Sequence, residues 1–212
     1  MRLPLEKRLK KRAHIDIAYL QDEAVRLMYG IESGLVLHGG TAIWRCYGGN
    51  RFSEGLDFYG KRIDKGRLEK DANSRGLEVE KAKETENLLY AKVSDASATV
   101  RVKVNFSKRP GAVAMPYENA NGSTTEILAL SRLDLLKEKI GAYQNRLLVR
   151  DLYDILHLSA GVGADNEAKK MAGKMIADFK KPLDEENLKA VVYSGTVPSV
   201  EQMVCAIRGR VL

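Results

Sequence analysis

Cysteine is scarce in this sequence: Cys46 and Cys205 lie far apart, with no CxxC spacing. That excludes a disulfide framework and a zinc-ribbon ligand set, and predicts two reduced thiols in a cytoplasmic protein. No apolar run approaches the roughly 18–20 residues of a membrane span, so no membrane partner is expected. The opening residues, MRLPLEKRLKKRAH, are basic and lack an apolar core, which predicts no secretory leader. His14, His38 and His157 have no partners at metal-ligand spacing and read as core or surface residues. Five prolines are the only ones in the chain, and no internal repeat or low-complexity tract is present. Negative charge is in deficit, 28 Asp and Glu against 35 Lys and Arg, giving a net charge of +7. Such a surplus favours polyanionic partners. Its densest cluster is Lys7, Arg8, Lys10, Lys11 and Arg12, which a solvated helix face and a nucleic-acid contact explain equally well.

The 212 residues, 44% apolar and 30% charged, suffice for one large domain or two small ones with proper cores. Apolar spacings of three and four predict a helix over 3–28. A strand over 34–38, a short helix over 41–47, a strand over 56–59 and a charged helix over 63–74 follow. Three further strands are predicted at 77–83, 88–93 and 99–107. The last of these alternates, with Val100, Val102, Val104 and Phe106 on one face and Arg101, Lys103, Asn105 and Ser107 on the other. Residues 108–123 read as a loop, rich in Pro, Gly and Asn. Beyond it the chain is helical: Ser131 should cap a helix to about Asn145, and helices follow at 149–160, 165–179, 184–193 and 199–208. The expected class is α+β, with an α+β unit over 1–122 and a helical unit over 123–212.

The segment LVLHGGTAIWRCYGGNRFSEGLDFY carries the most chemistry. An apolar strand ends in Gly39-Gly40-Thr41 and a helix begins at once. There, backbone N–H groups and the positive helix end suit phosphate oxygens, and glycine permits close approach. A tight turn capped by Thr41 explains the same residues. Arg51 and Ser53 have the chemistry to bind phosphate and equally that of ordinary surface residues. Asp57 sits on a short apolar strand, where a charge is costly unless paired or metal-bound. A metal-dependent phosphoryl-transfer site calls for a second carboxylate two residues away, and that position is Gly55. Glu54 points to the opposite face and does not replace it. In the helical half, Lys137, Glu138, Lys139, Arg146, Arg150, Asp151 and Asp154 form a second cluster, and Asp151 and Asp154 share a helix face. A solvated salt-bridged face and a functional site both fit it.

In order, these motifs resemble the AbiEii family of nucleotidyltransferase-like toxins of type IV toxin–antitoxin and abortive-infection systems. The residues carrying the resemblance are Leu37-His38-Gly39-Gly40-Thr41-Ala42-Ile43, Arg51-Phe52-Ser53-Glu54-Gly55-Leu56-Asp57-Phe58, Val102-Lys103-Val104-Asn105-Phe106, Lys139-Ile140-Gly141-Ala142 and Arg150-Asp151-Leu152-Tyr153-Asp154-Ile155. The resemblance implies a DNA-polymerase-β-like nucleotidyltransferase fold, a mixed sheet with flanking helices followed by a helical bundle. It implies transfer of NMP from an NTP to a tRNA-like RNA acceptor, a Mg²⁺ cofactor and a cognate antitoxin. Gly39, Gly40, Thr41, Arg51 and Ser53 would hold the nucleotide, and Asp57 would bind the metal. Lys139 would contact phosphate and Asp151 would support the site or help activate the acceptor. Two departures stand out: the family's strand acids fall at Gly55 and Asn105. Because carboxylates clamp the two cations of such a centre, the expectation is a chain with impaired transfer, or an inactive module that binds nucleotide, RNA or protein. Small-molecule transfer of the aminoglycoside-modifying kind is disfavoured by the surplus positive charge.

Overall fold

The computed structural model describes residues 3–107, 111–161 and 165–211. The class is α+β. The chain forms two compact units: Met1–Cys46 with Phe52–Leu130, and Tyr47–Arg51 with Ser131–Leu212.

The first unit is built on a mixed seven-stranded sheet. Its elements are α1 (Leu5–Arg8), α2 (Arg12–Ile31), β1 (Val36–His38), α3 (Gly39–Cys46), β2 (Leu56–Tyr59), α4 (Lys65–Asn73), β3 (Glu78–Glu84), β4 (Leu88–Ser94), β5 (Thr99–Asn105), β6 (Ala112–Glu118) and β7 (Thr124–Leu130). The strand order is β3-β4-β5-β2-β1-β7-β6. Strand β2 is antiparallel to β1 and parallel to β5, and β1 is parallel to β7. The single helix expected over 3–28 is two helices, because Leu9 is extended and ends α1. Helix α2 buries Leu20, Ala24, Leu27 and Met28 at helical spacing and packs on β5 and α4. In β5, Val100, Val102 and Val104 are buried while Arg101 is exposed. This is the expected alternation of a sheet covered on one face.

The loop expected over 108–123 is corrected: from Ala112 onward it holds β6, which pairs antiparallel with β7 from Ala112↔Leu130 to Glu118↔Thr124. Residues 108–110 lie outside the described part. Pro116, a strand breaker in the middle of a sheet, is tolerated because β6 is an edge strand. The first unit therefore continues to Leu130, and a boundary at Gly122 would cut this hairpin.

The second unit comprises α5 (Arg132–Arg146), α6 (Val149–Ser159), α7 (Asn166–Ala177), a 3-10 turn at Glu185–Asn187, α8 (Leu188–Val191) and α9 (Val200–Val211). Ser131 caps α5 by accepting from the Asp134 N–H at 3.1 Å. Leu147 closes α5 in the left-handed region (φ 50°), so α6 begins two residues later and folds back on α5. Helix α9 packs on α6 and α7. The segment Tyr47–Arg51 joins this unit through an Arg51↔Val192 bridge and a Tyr193 hydroxyl donating to the Gly49 carbonyl at 3.0 Å.

Both thiols are free, and burial pushes Cys46 up to about 12, which makes it a poor nucleophile at neutral pH. Among the described residues no helix is long and apolar enough to cross a membrane.

Candidate functional site

The turn between β1 and α3 has no linking loop: His38 ends the strand and Gly39 opens the helix. Gly39 has φ +71°, a conformation that side-chain-bearing residues adopt only with strain. A Cβ placed there would lie 3.2 Å from Asp57 Oδ2, so the Asp57 carboxylate lies directly over the backbone of the turn. The register explains this, because His38 faces Asp57 across the β1–β2 ladder. Thr41 is buried, and its hydroxyl donates to the Gly55 carbonyl at 2.5 Å, tying α3 to the start of β2. The approach to β2 is fixed by Phe52, whose ring stacks on His14 at 3.8 Å, and by Gln21, which donates to the Ser53 carbonyl at 2.7 Å. Gly39, Gly40, Thr41, Ser53 and Asp57 thus belong to the first unit, with Gly39 and Asp57 in direct apposition.

The β2–β5 register reveals what stands beside Asp57. Its partner is Lys103, while Asn105 pairs with Tyr59, two residues farther along. At about 3.3 Å per residue, Asn105 is displaced by roughly 6–7 Å from the level of Asp57. A Cβ on Gly55 would lie 2.9 Å from Arg101 Nη2 and 3.4 Å from its Cζ, so the Arg101 guanidinium covers the position of the missing first acid. The face that should carry metal-binding carboxylates therefore presents Asp57 with Arg101 and Lys103. The alternation of β5 puts both cations on its polar face. Only the parallel pairing with β2 identifies them as residues of the site.

Two-metal transfer needs carboxylates that bridge both cations. Among the described residues no three His, Cys, Asp or Glu side chains gather to hold a metal ion. A single carboxylate on a strand face that also bears Lys103 at its own level and Arg101 over Gly55 is a poor donor set for a pair of divalent ions, and the residues present do not fit a two-metal centre.

Arg51, Lys139 and Asp151 belong to the second unit. There Arg51 is buried and grips Asp154 through Nε, at 2.6 Å, and Nη2. Lys139 Nζ lies 3.0 Å from Asp151 Oδ1 and 2.7 Å from Asp154 Oδ2. Arg146, delivered by the tight turn at Leu147, donates to Asp151 from Nε at 2.6 Å and Nη2 at 2.8 Å. Both carboxylates are almost wholly buried, 0% and 1% exposed. Burial alone would push Asp151 up, but the Arg146 hydrogen bond and the Lys139 charge outweigh it and hold the carboxyl below its usual range. For Asp154 burial is likewise outweighed, by the charges of Arg51 and then Lys139. Because both folded-state values lie below the unfolded one, their contribution to stability is complete above the unfolded pKa of about 3.9 and is lost as pH falls through the folded values. Urea unfolding is expected to show a plateau above about pH 5 and a falling free energy below about pH 4. An unfolding midpoint unchanged down to pH 3 would contradict this.

With the geometry in place, the relatives are informative. Residues 26–194 match the family described as nucleotidyl transferase AbiEii toxin, type IV TA system. The chain belongs to the AbiEii family. Among solved structures, JHP933 from Helicobacter pylori superposes with a TM-score of 0.62 at 17% identity, covering 92% of this chain and 90% of that one. MenT4, the nucleotidyltransferase toxin Rv2826c of Mycobacterium tuberculosis H37Rv, gives 0.56 at 19% identity, covering 94% and 84%. ANT(2")-Ia in complex with adenylyl-2"-tobramycin gives 0.50 at 12% identity, covering 77% and 98%. At such identities the likeness is one of fold, here a nucleotidyltransferase fold. No curated protein sequence matches. At the two positions where the resemblance leads one to expect strand acids this chain has Gly55 and Asn105, and Arg101 and Lys103 stand on the same strand face as Asp57.

Proposed function

We propose that this AbiEii protein binds a nucleoside triphosphate against the β1–α3 turn and the adjoining β2–β5 face, and transfers NMP to an RNA acceptor only slowly. The apposition of Asp57 and Gly39 carries this reading: it places one carboxylate over the turn whose N–H groups suit phosphate oxygens. Asp57 is the candidate catalytic and metal-contacting residue. Gly39, Gly40 and Thr41 shape the phosphate turn, and Ser53 lies on the segment leading into β2. Arg51, Lys139 and Asp151 act in this reading as a buried framework, because their charged groups are already satisfied within the second unit. A cognate antitoxin, cytoplasmic residence and a role in abortive infection accompany membership of a type IV system as part of the same proposal. So does Mg²⁺, in a weakened role set by the lone carboxylate.

The test is incubation of the protein with each α-labelled NTP, Mg²⁺ and total RNA. Slow labelling of RNA that disappears in Asp57→Asn is the expected result. Label that persists in Asp57→Asn, or that appears on protein instead of RNA, would sink the reading. A second reading, an inactive binding module, is favoured by the guanidinium lying over Gly55. It predicts NTP binding with no labelled product from the wild-type chain under any condition.

A further inference from the structure

Nucleotidyltransferases use divalent cations to offset the charge of the triphosphate and hold those cations with carboxylates. On this chain the corresponding sheet face has the opposite sign. The register aligns Lys103 with Asp57, and Lys92 with Arg101, on adjacent strands. Cross-strand partners project from the same face, so the cations of β4 and β5 lie on the side that bears Asp57. Arg101 is exposed, and its guanidinium rests over Gly55, where any side chain would have to displace it. Glycine at this position is therefore more than the loss of an acid: it leaves room for a cation.

We propose that Arg101, assisted by Lys103, forms a divalent-metal-independent site for the phosphates of a nucleoside triphosphate, with the guanidinium supplying the positive charge that metal ions supply elsewhere. The proposal rests on the nucleotide reading given above and goes beyond it in assigning the charge that binds the phosphates to the chain itself, leaving Mg²⁺ only its weakened role in transfer. A planar guanidinium presents paired N–H donors that match phosphate oxygens, and it stays charged at any physiological pH. Lys103 is aligned with Asp57 in the β2–β5 register, where its ammonium would offset the repulsion of one carboxylate for the ligand.

The test is isothermal titration of the full chain with ATP, GTP, CTP and UTP, each in EDTA and in excess Mg²⁺. For whichever nucleotide binds, the affinity in EDTA should equal or exceed that in Mg²⁺, a comparison that needs no variant. Arg101→Ala should weaken binding at least about tenfold, the scale of one lost charge-assisted contact. Gly55→Asp should weaken it similarly, because the new carboxylate would capture Arg101 and oppose the phosphates. Lys92→Ala, one strand farther from Gly55, should change it by no more than about twofold. Circular dichroism of each variant checks folding, and Arg101 is an exposed strand residue whose loss spares the core. Binding that requires Mg²⁺, or that is indifferent to Arg101→Ala, would overturn the metal-independent site while leaving the nucleotide reading intact. Absence of binding in both buffers would overturn the two together.

Discussion

Asp154→Ala is expected to destabilise the protein by about 3–5 kcal/mol, a large part of the 5–15 kcal/mol that typically holds a domain together. The carboxylate is 1% exposed and receives both Arg51 and Lys139, so its removal strands two cations in a medium that solvates them poorly. Lys139→Met should behave differently. Without the ammonium, Asp154 keeps Arg51 and Asp151 keeps Arg146, each pair closed by two hydrogen bonds. Methionine also restores most of the lost packing volume. The expected cost is less than half that of Asp154→Ala, since an ion replaced by a well-packed apolar group leaves no orphaned charge. Urea unfolding at pH 7 measures both. The same Lys139→Met protein separates framework from ligand contact: NTP affinity within about twofold of wild type assigns Lys139 to the framework, and a loss of tenfold or more assigns it to the phosphate.

The second large effect is a gain. Gly55→Asp alone should leave RNA labelling no faster than in the wild type, because the new carboxylate meets the Arg101 guanidinium and pairs with it. Gly55→Asp combined with Arg101→Ser frees that carboxylate to stand beside Asp57 and hold Mg²⁺. Transfer should then rise by about 10²-fold, the scale of one preorganised electrostatic contact in a transition state. The single and double variants, compared with labelled NTP and total RNA, check this. Faster transfer from Gly55→Asp alone would show that Arg101 does not hold the position closed.

The parts of the fold that were legible in the sequence are those set by local chemistry. Ser131 announced α5 because a hydroxyl at that position satisfies an N–H of the first turn. The alternation of Val100, Val102 and Val104 revealed the buried face of β5. Strand β6 was not legible, because Pro116 and the flanking Gly and Asn residues describe a loop unless the strand is known to lie at an edge. Asp57 and the glycine turn were visible as candidates. Their neighbours were not: whether Lys103 or Asn105 stands beside Asp57 depends on the register of two strands whose partners lie far apart in sequence. The same holds for Arg51, whose partner Asp154 is 103 residues away. Read alone, Arg51 was a surface cation or a phosphate ligand, and its burial became apparent only once the chain was folded.

The most direct test of a nucleotide site at the β1–α3 turn is a map of amide chemical shifts as NTP is titrated into isotopically labelled protein. The account predicts that the largest changes fall on Gly39, Gly40 and Thr41, on Gly55 and Asp57, and on Arg101 and Lys103. Changes confined to other segments, with these amides unmoved at saturating nucleotide, would contradict it.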